Sequence, residues 1–214
     1  MALAFANIAF TPKVREQQER LGSARGYDRF LADEAPAADS LTARETAFIE
    51  ARDGFYQATV SETGWPYVQF RGGPKGFLKV LDPKTVAYAD FRGNRQYVSL
   101  GNLDGDGRIS LILMDYPNRR RLKILGRAKT IDIEDDPNLI ARLEVPGSKG
   151  RTERAVLITV DGFDWNCPQH IPRRFTPEEL EMELLPIREE QERLRAENEA
   201  LLARLAALQT ETAD

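Results

Sequence analysis

The chain has 214 residues, 42% of them hydrophobic and 30% charged, and a formal net charge of −4. That length holds one domain with appendages or two small ones, and the acidic balance argues against a general nucleic-acid binder, which needs a basic surface to neutralise phosphates. A single cysteine, Cys167, and a single histidine, His170, exclude an intramolecular disulfide framework and metal sites built from several such side chains.

The opening MALAFANIAF is apolar but short, lacks a basic flank and runs into Pro12 and the charged KVREQQER. It does not read as a targeting segment, and no run approaches the roughly 18–20 apolar residues of a membrane span, so a cytoplasmic protein with no membrane or nucleic-acid partner is expected. Up to about residue 52 the chain reads as helical. Thr11-Pro12 is a cap followed by proline at the first helical position, EAPAADS (34–40) is a connector, and Thr42 and Glu45 have capping-box spacing ahead of the apolar stripe Ala47, Phe48, Ala51. Residues 1–40 are therefore read as a helical extension and 41–175 as the core domain.

From residue 55 the pattern changes to strands. FYQATVS (55–61) and WPYVQFR (65–71) flank the turn signal Glu62-Thr63-Gly64 and read as a hairpin. FLKVLD (77–82), TVAYADF (85–91), RISLILMDY (108–116), RLKILGRAKTIDI (121–133) and ERAVLITVDGFDW (153–165) follow, separated by Gly- and Pro-containing breaks. Strand after strand with tight turns predicts an antiparallel sheet or barrel rather than a doubly wound parallel sheet. Asp136 to Leu143 reads as one short helix, and Gly101 to Gly107 as a hairpin turn, since it lacks the ligand spacing of a calcium loop.

Residues 176–214 begin with Thr176-Pro177-Glu178-Glu179, a helix start with acidic residues in the first turn. Leu180, Ile187, Leu194, Leu201 and Leu208 recur every seven residues; placing them at position d puts Leu184, Gln191, Asn198 and Leu205 at position a. This zipper pattern suits a two-stranded coiled coil, with Pro186 expected to interrupt it so that the continuous part begins near Ile187. The alternative is a solitary amphipathic helix lying on its own domain.

Four stretches could carry chemistry. In QFRGGPKGF (69–77) a strand ends in an arginine and is followed by backbone-bending glycines; Gln69 and Arg71 share a face and suit a planar ring edge or a phosphate. In DFRGNRQ (90–96), Arg92 and Arg95 sit in a loop with Asn94 and Gln96, a pattern that binds phosphate without being a Walker loop. NRRRLK (118–123) reads as solvated turn residues with Arg121 and Lys123 on one face. WNCPQHIPRR (165–174) collects Cys167 and His170, but three residues across Pro168 do not orient a thiolate toward an imidazole, and a ligand-facing loop is expected instead.

The segments ATVSETGWPYVQFRGGPKGF, YADFRGNRQYVSLGNL, RLKILGRA and WNCPQHIPRRF, in this order between about Leu41 and Phe175, resemble the flavin-nucleotide-binding branch of the pyridoxamine 5′-phosphate oxidase-like proteins. The resemblance implies a mainly β fold with flanking helices, built on a six-stranded antiparallel split β-barrel that forms a homodimer with FMN at the interface. It implies cofactor contacts from Gln69, Phe70, Arg71, Gly72, Gly73 and Pro74 on the first flavin-binding strand. Asn94, Arg95 and Gln96 would grip the phosphate, Arg121 would lie near the ring, and Asn166 would belong to a segment closing over the flavin from the other subunit. It designates no catalytic residue. Gln69 stands where relatives often have arginine, Pro74 takes the place of a basic substrate-phosphate residue, and the Arg-x-His-x-Arg arrangement of true pyridoxamine-phosphate oxidases is broken at Gln169 to Arg174. The function implied is FMN-dependent oxidoreduction of an unidentified small molecule, with a deazaflavin-dependent reductase as a variant. The alternative is a non-catalytic flavin or nucleotide carrier or sensor.

Overall fold

A computed structural model describes residues 3–31, 39–145, 150–165 and 168–211, with side chains described as far as Ala206. The chain divides into two compact units, residues 1–115 with 119–171, and residues 116–118 with 172–214.

The first unit opens with helices α1 (Leu3–Ala9), α2 (Pro12–Arg20) and α3 (Ala24–Asp28). Thr11 caps α2, its side-chain oxygen accepting from the Val14 amide, with Pro12 at the first helical position as expected. Helix α1 lies so close to the last strand that a Cβ on Gly162 would meet the Phe5 amide nitrogen at 2.6 Å, which is why a glycine stands there. Helix α4 (Ala43–Glu50) starts with the expected capping box between Thr42 and Glu45. Glu45 is buried, and its other carboxylate oxygen accepts from Trp165 Nε1 at 2.7 Å. The cap thereby ties the helix start to the end of the last strand, while Phe48 and Ile49 enter the core.

Seven strands follow: β1 (Gly54–Val60), β2 (Pro66–Gly72), β3 (Leu78–Asp82), β4 (Thr85–Phe91), β5 (Arg108–Asp115), β6 (Arg120–Asp132) and β7 (Thr152–Trp165). All pair antiparallel, in the order β2-β1-β5-β6-β7-β4-β3. The residue pattern had marked these seven segments, and the count of six implied by the family resemblance is corrected to seven.

The sheet is rolled. In a flat sheet β1 and β4 would lie about 19 Å apart, four strand spacings of about 4.8 Å. Instead the Phe55 ring on β1 meets the Tyr88 ring on β4 with centroids 5.4 Å apart, and Tyr88 Oη donates to Gln57 Oε1 at 2.6 Å. One apolar core accordingly draws on both ends of the sheet, from Phe55 and Leu78 through Leu111 and Leu122 to Ile158. A bulge in β7 at Asp161, opposite Leu125 and Gly126 of β6, helps bend the sheet. Helix α6 (Pro137–Leu143), capped by Asp136, packs Leu139, Ile140 and Leu143 on Ala87, Ala89 and Ala155 in a second, smaller cluster.

Two expectations are corrected. The segment read as a hairpin turn around Gly101 to Gly107 is helix α5 (Val98–Gly105) for most of its length. Burial of Leu103 and the bond from Asn102 Nδ2 to Thr59 Oγ1 at 2.9 Å overrule the turn preference of its glycines and aspartates. In the second unit, helix α7 (Pro177–Glu211) starts where the sequence predicts and runs through Pro186, where an interruption was expected. Met182, whose carbonyl loses its helical partner to Pro186, and the flanking Leu185 and Ile187 are all exposed, so the missing bond falls on the solvent side and costs little. A Thr176–Glu179 pair caps α7, each backbone amide donating to the other's side chain. No helix among the described residues is long and apolar enough to cross a membrane.

Burial pushes the Glu45 carboxyl up, but hydrogen bonds from Thr42 and Trp165 outweigh it and hold it below the usual glutamate value. The Glu45 contribution is therefore complete above about pH 4.3, its value in an unfolded chain, and is lost as pH falls through the lower value of the folded state. Glu45→Ala should cost about 2 kcal/mol at pH 7 in chemical denaturation, and the difference from the parent should shrink below pH 4.

Candidate functional site

A cleft of about 240 Å³ lies where β2, the end of β4, the loop that follows it and the first turn of α5 come together. Alternation along β2 sends Tyr67, Gln69 and Arg71 into this cleft and leaves Val68 and Phe70 outside. The loop brings Asn94, Arg95 and Gln96 to the opposite wall. The structure thus unites the two stretches singled out in the sequence, 20 and more residues apart, on one surface.

The floor is an ion cluster. Asp90 and Arg154 are register partners on β4 and β7, and both are buried. Asp90 accepts from Arg154 Nη1 at 3.0 Å through one oxygen and from Arg71 Nη1 at 2.7 Å through the other. Burial disfavours the Arg154 cation, but the hydrogen bond and charge of Asp90 outweigh it and raise its pKa above the ordinary guanidinium value. Arg154 also lies over the Tyr97 ring, 5.4 Å from its centroid, and donates to Glu153 at 3.3 Å. Arg71 Nε is buried and has no hydrogen-bond partner among the described residues.

The loop is held in an uncommon backbone shape. Arg95 and Tyr97 both have left-handed φ values, 63° and 53°, which cost non-glycine residues about 1–2 kcal/mol each. The Gln96 amide donates to Asn94 Oδ1 at 3.2 Å, and the Arg92 amide to the Arg151 carbonyl at 2.8 Å. Tyr97 is the N-cap of α5 and provides no side-chain cap, and no acidic residue stands in the first turn. Val98, Ser99 and Leu100 at that N-terminus line the cleft. Orphan amides, the positive end of the helix dipole and the exposed Arg95 therefore share one wall, an arrangement that attracts anions. Ser99 Oγ donates to Gln69 Oε1 at 2.8 Å, which fixes that amide and leaves its N–H groups to meet an acceptor.

The other candidate residues fall elsewhere. Phe70 is on the outer face of β2, tilted against Tyr56 with centroids 5.3 Å apart. At Gly72 and Gly73 a Cβ would meet the Phe70 ring at 2.9 Å in the first and the Phe77 ring at 2.7 Å in the second, so packing alone favours glycine at both. Gly72 borders a second cleft of about 220 Å³ with Phe70, Phe77 and Tyr88, while Pro74 is exposed in the turn after β2 and lines neither. Arg121 alternates with the core residues Leu122 and Ile124, so it lies on the outer face of β6, away from the cleft. Asn166 and Cys167 lie outside the described residues. His170 is exposed and is not part of the cleft lining.

Sequence reading missed Asp90, Ser99, Glu153 and Arg154 as cleft residues. Asp90 carried one signal, the single charge in strand TVAYADF, but its pairing with Arg154 across 64 residues is visible only once β4 and β7 are aligned.

The chain is thus a rolled antiparallel sheet with a cleft lined by arginines and helix N-terminal residues where its two ends meet. The sequence pattern of the pyridoxamine 5′-phosphate oxidase family matches residues 41–157, over half of the chain, and the protein belongs to that family. No curated protein matches the chain. Among solved structures, a candidate pyridoxamine 5′-phosphate oxidase of Lactobacillus delbrueckii is 20% identical, covering 59% of this chain and 94% of its own, with a TM-score of 0.45. An FMN-binding protein of Syntrophomonas wolfei is 10% identical, covering 72% and 95%, with a TM-score of 0.46. An F420 reductase is 15% identical, covering 55% and 94%, with a TM-score of 0.40.

Asp90→Ala leaves the half-buried Arg71 without its carboxylate and the buried Arg154 with only its longer contacts to Glu153 and Asp132. It should destabilise the fold by about 3–5 kcal/mol in urea denaturation, where an exposed ion pair such as Lys13–Glu16 should cost under about 1 kcal/mol when broken.

Proposed function

We propose that the cleft binds FMN and that the protein is a flavin-dependent oxidoreductase acting on a small organic molecule. The observation that carries this reading is the convergence of the uncapped α5 N-terminus and Arg95 on one cleft wall. A phosphate monoester suits that wall, because it needs cations and N–H donors together. The flavin ring presents acceptors at its pyrimidine edge, which suit the Gln69 amide and the unpartnered Arg71 Nε. Bound FMN supplies the electron-transfer chemistry. The residues of this chain bind it: Arg95, Asn94 and Gln96 at the phosphate, Gln69 and Arg71 at the ring edge.

The site is completed by a second copy. A cleft of about 240 Å³ is smaller than the roughly 300–1,000 Å³ of a typical cofactor pocket, so a further wall is needed. Tyr56, Val68 and Phe70 are exposed on the outer face of β1 and β2 and supply an apolar surface for that contact. In such a homodimer, Arg121 and Asn166 would reach the cofactor held by the opposite copy, as would Phe70.

One observation favours the second reading, a non-catalytic flavin carrier or sensor. Among the described residues the cleft lining contains neither histidine nor cysteine, and its carboxylates are engaged: Asp90 by two arginines and Glu153 by Arg154. Reduction of the bound flavin by NAD(P)H, followed as bleaching of its absorbance, separates the two. Turnover with any donor supports the enzyme, and bleaching by none supports the carrier.

Arg95→Ala should weaken FMN binding about tenfold to a hundredfold in a flavin-fluorescence titration, the loss of a charged hydrogen bond worth about 1.5–3 kcal/mol. Arg95 is exposed and outside the ion cluster, so the circular dichroism spectrum and stability should be unchanged. An affinity equal to the parent's would refute the phosphate assignment.

A further inference from the structure

Helix α7 carries an apolar stripe along one side. At the zipper positions, Ile187 is 63% exposed, Leu194 44%, Leu201 49% and Leu205 55%. The helix is 35 residues long, or about 52 Å at 1.5 Å per residue. Such a stripe needs a cover, and the charges beside it specify which.

We propose that α7 pairs with α7 of a second copy of this chain as a parallel, in-register, two-stranded coiled coil, and that its glutamate and arginine residues set that orientation. In the heptad with Leu180 at d, position g holds Glu183, Glu190, Glu197 and Arg204, and position e holds Glu181, Arg188, Arg195 and Leu202. In a parallel pair each g residue faces the e residue five positions further along the other chain. Glu183 then meets Arg188, and Glu190 meets Arg195, each twice by symmetry. In an antiparallel pair g faces g and e faces e; in the register that covers the whole stripe this sets Glu190 against Glu197 and Arg188 against Arg195, with Glu183 against Arg204 as the one favourable contact.

Two further features point the same way. Gln191 and Asn198 occupy a positions, where polar side chains meet their own counterparts only if the strands are parallel and unshifted. In an antiparallel pair they would face the leucines at d. Pro186 falls at position c, on the solvent side, so its missing N–H does not disturb the seam. Within one chain, Arg188 is bonded to Glu181 at 2.7 Å and Glu190 to Arg193 at 2.7 Å, whereas Glu183 and Arg195 have no ion pair among the described residues. Pairing exchanges the Glu181 contact of Arg188 for Glu183 of the other copy and provides Arg195 with a carboxylate.

This inference extends the homodimer reading given above and is independent of the flavin. Its test uses the full-length chain without added FMN. In a C167S background, chains carrying L184C and chains carrying L205C are co-expressed, mildly oxidised and mapped by peptide mass spectrometry. Links of 184 to 184 and of 205 to 205 are expected. A link between unlike positions, or no link between copies at either position, overturns the proposal, the second outcome assigning the stripe to another cover. In R188E/R195E chains every e and g site from 183 to 197 is acidic, and the 205–205 link should fall about tenfold. Co-expression with E183R/E190R chains should restore it as a link between the two kinds of chain. Undiminished linking in R188E/R195E contradicts the charge assignment. FMN titration of the same samples reports on the cofactor reading separately, so the two can fail independently.

Discussion

The Asp90 carboxylate, gripped from both sides by Arg71 and Arg154, is the contact on which the cleft depends. It joins β2, an edge of the rolled sheet, to β4 and β7 near the other edge, at distances of 2.7 and 3.0 Å. Two cations beside one buried anion are tolerable only if the geometry is met, so the spacing across the seam is fixed closely. A register shift follows Asp90 at once, and the loop bearing Arg95 starts from there. The clamp therefore sets where β2 presents Gln69 and where the loop presents its cation.

The division of labour within the cleft follows from charge accounting. Arg71 and Arg154 are largely committed to Asp90, so among the arginines lining the cleft Arg95 is the one proposed to meet an anion, aided by the first amides of α5. The strained backbone at Arg95 and Tyr97 fits that role, because left-handed φ values at non-glycine residues persist where surrounding structure over-determines them. Behind the cleft a polar row on β1 continues inward. Gln57 accepts from Tyr88 and Thr59 accepts from Asn102, so the barrel interior under the site is hydrogen-bonded instead of purely apolar. Burial pushes the Tyr88 phenol up and keeps it a donor.

Much of this was legible in the sequence. All seven strands stood out through their β-branched and aromatic content, and the caps at Thr11, Thr42 and Thr176 through local side-chain chemistry. The pairing of Gln69 with Arg71 on one face followed from period-two alternation. What was hidden is what depends on distant chain segments. Helix α5 carries three turn-forming residue types in GNLDGDG and becomes a helix because Leu103 and Asn102 find partners in the barrel. At Gly72 and Gly73 two phenylalanine rings occupy the space a Cβ would need, a packing constraint the sequence alone does not display. Phe70, adjacent in sequence to the cleft residues, faces away from them for the same reason that Gln69 and Arg71 face inward.

The account stands or falls on whether the cleft holds a flavin nucleotide. Protein purified without added cofactor should be denatured and the released small molecules identified by mass spectrometry, with FMN titration of any colourless sample. The account predicts a stoichiometric amount of FMN, either retained or taken up with saturation. A folded sample that releases none and binds none would contradict it.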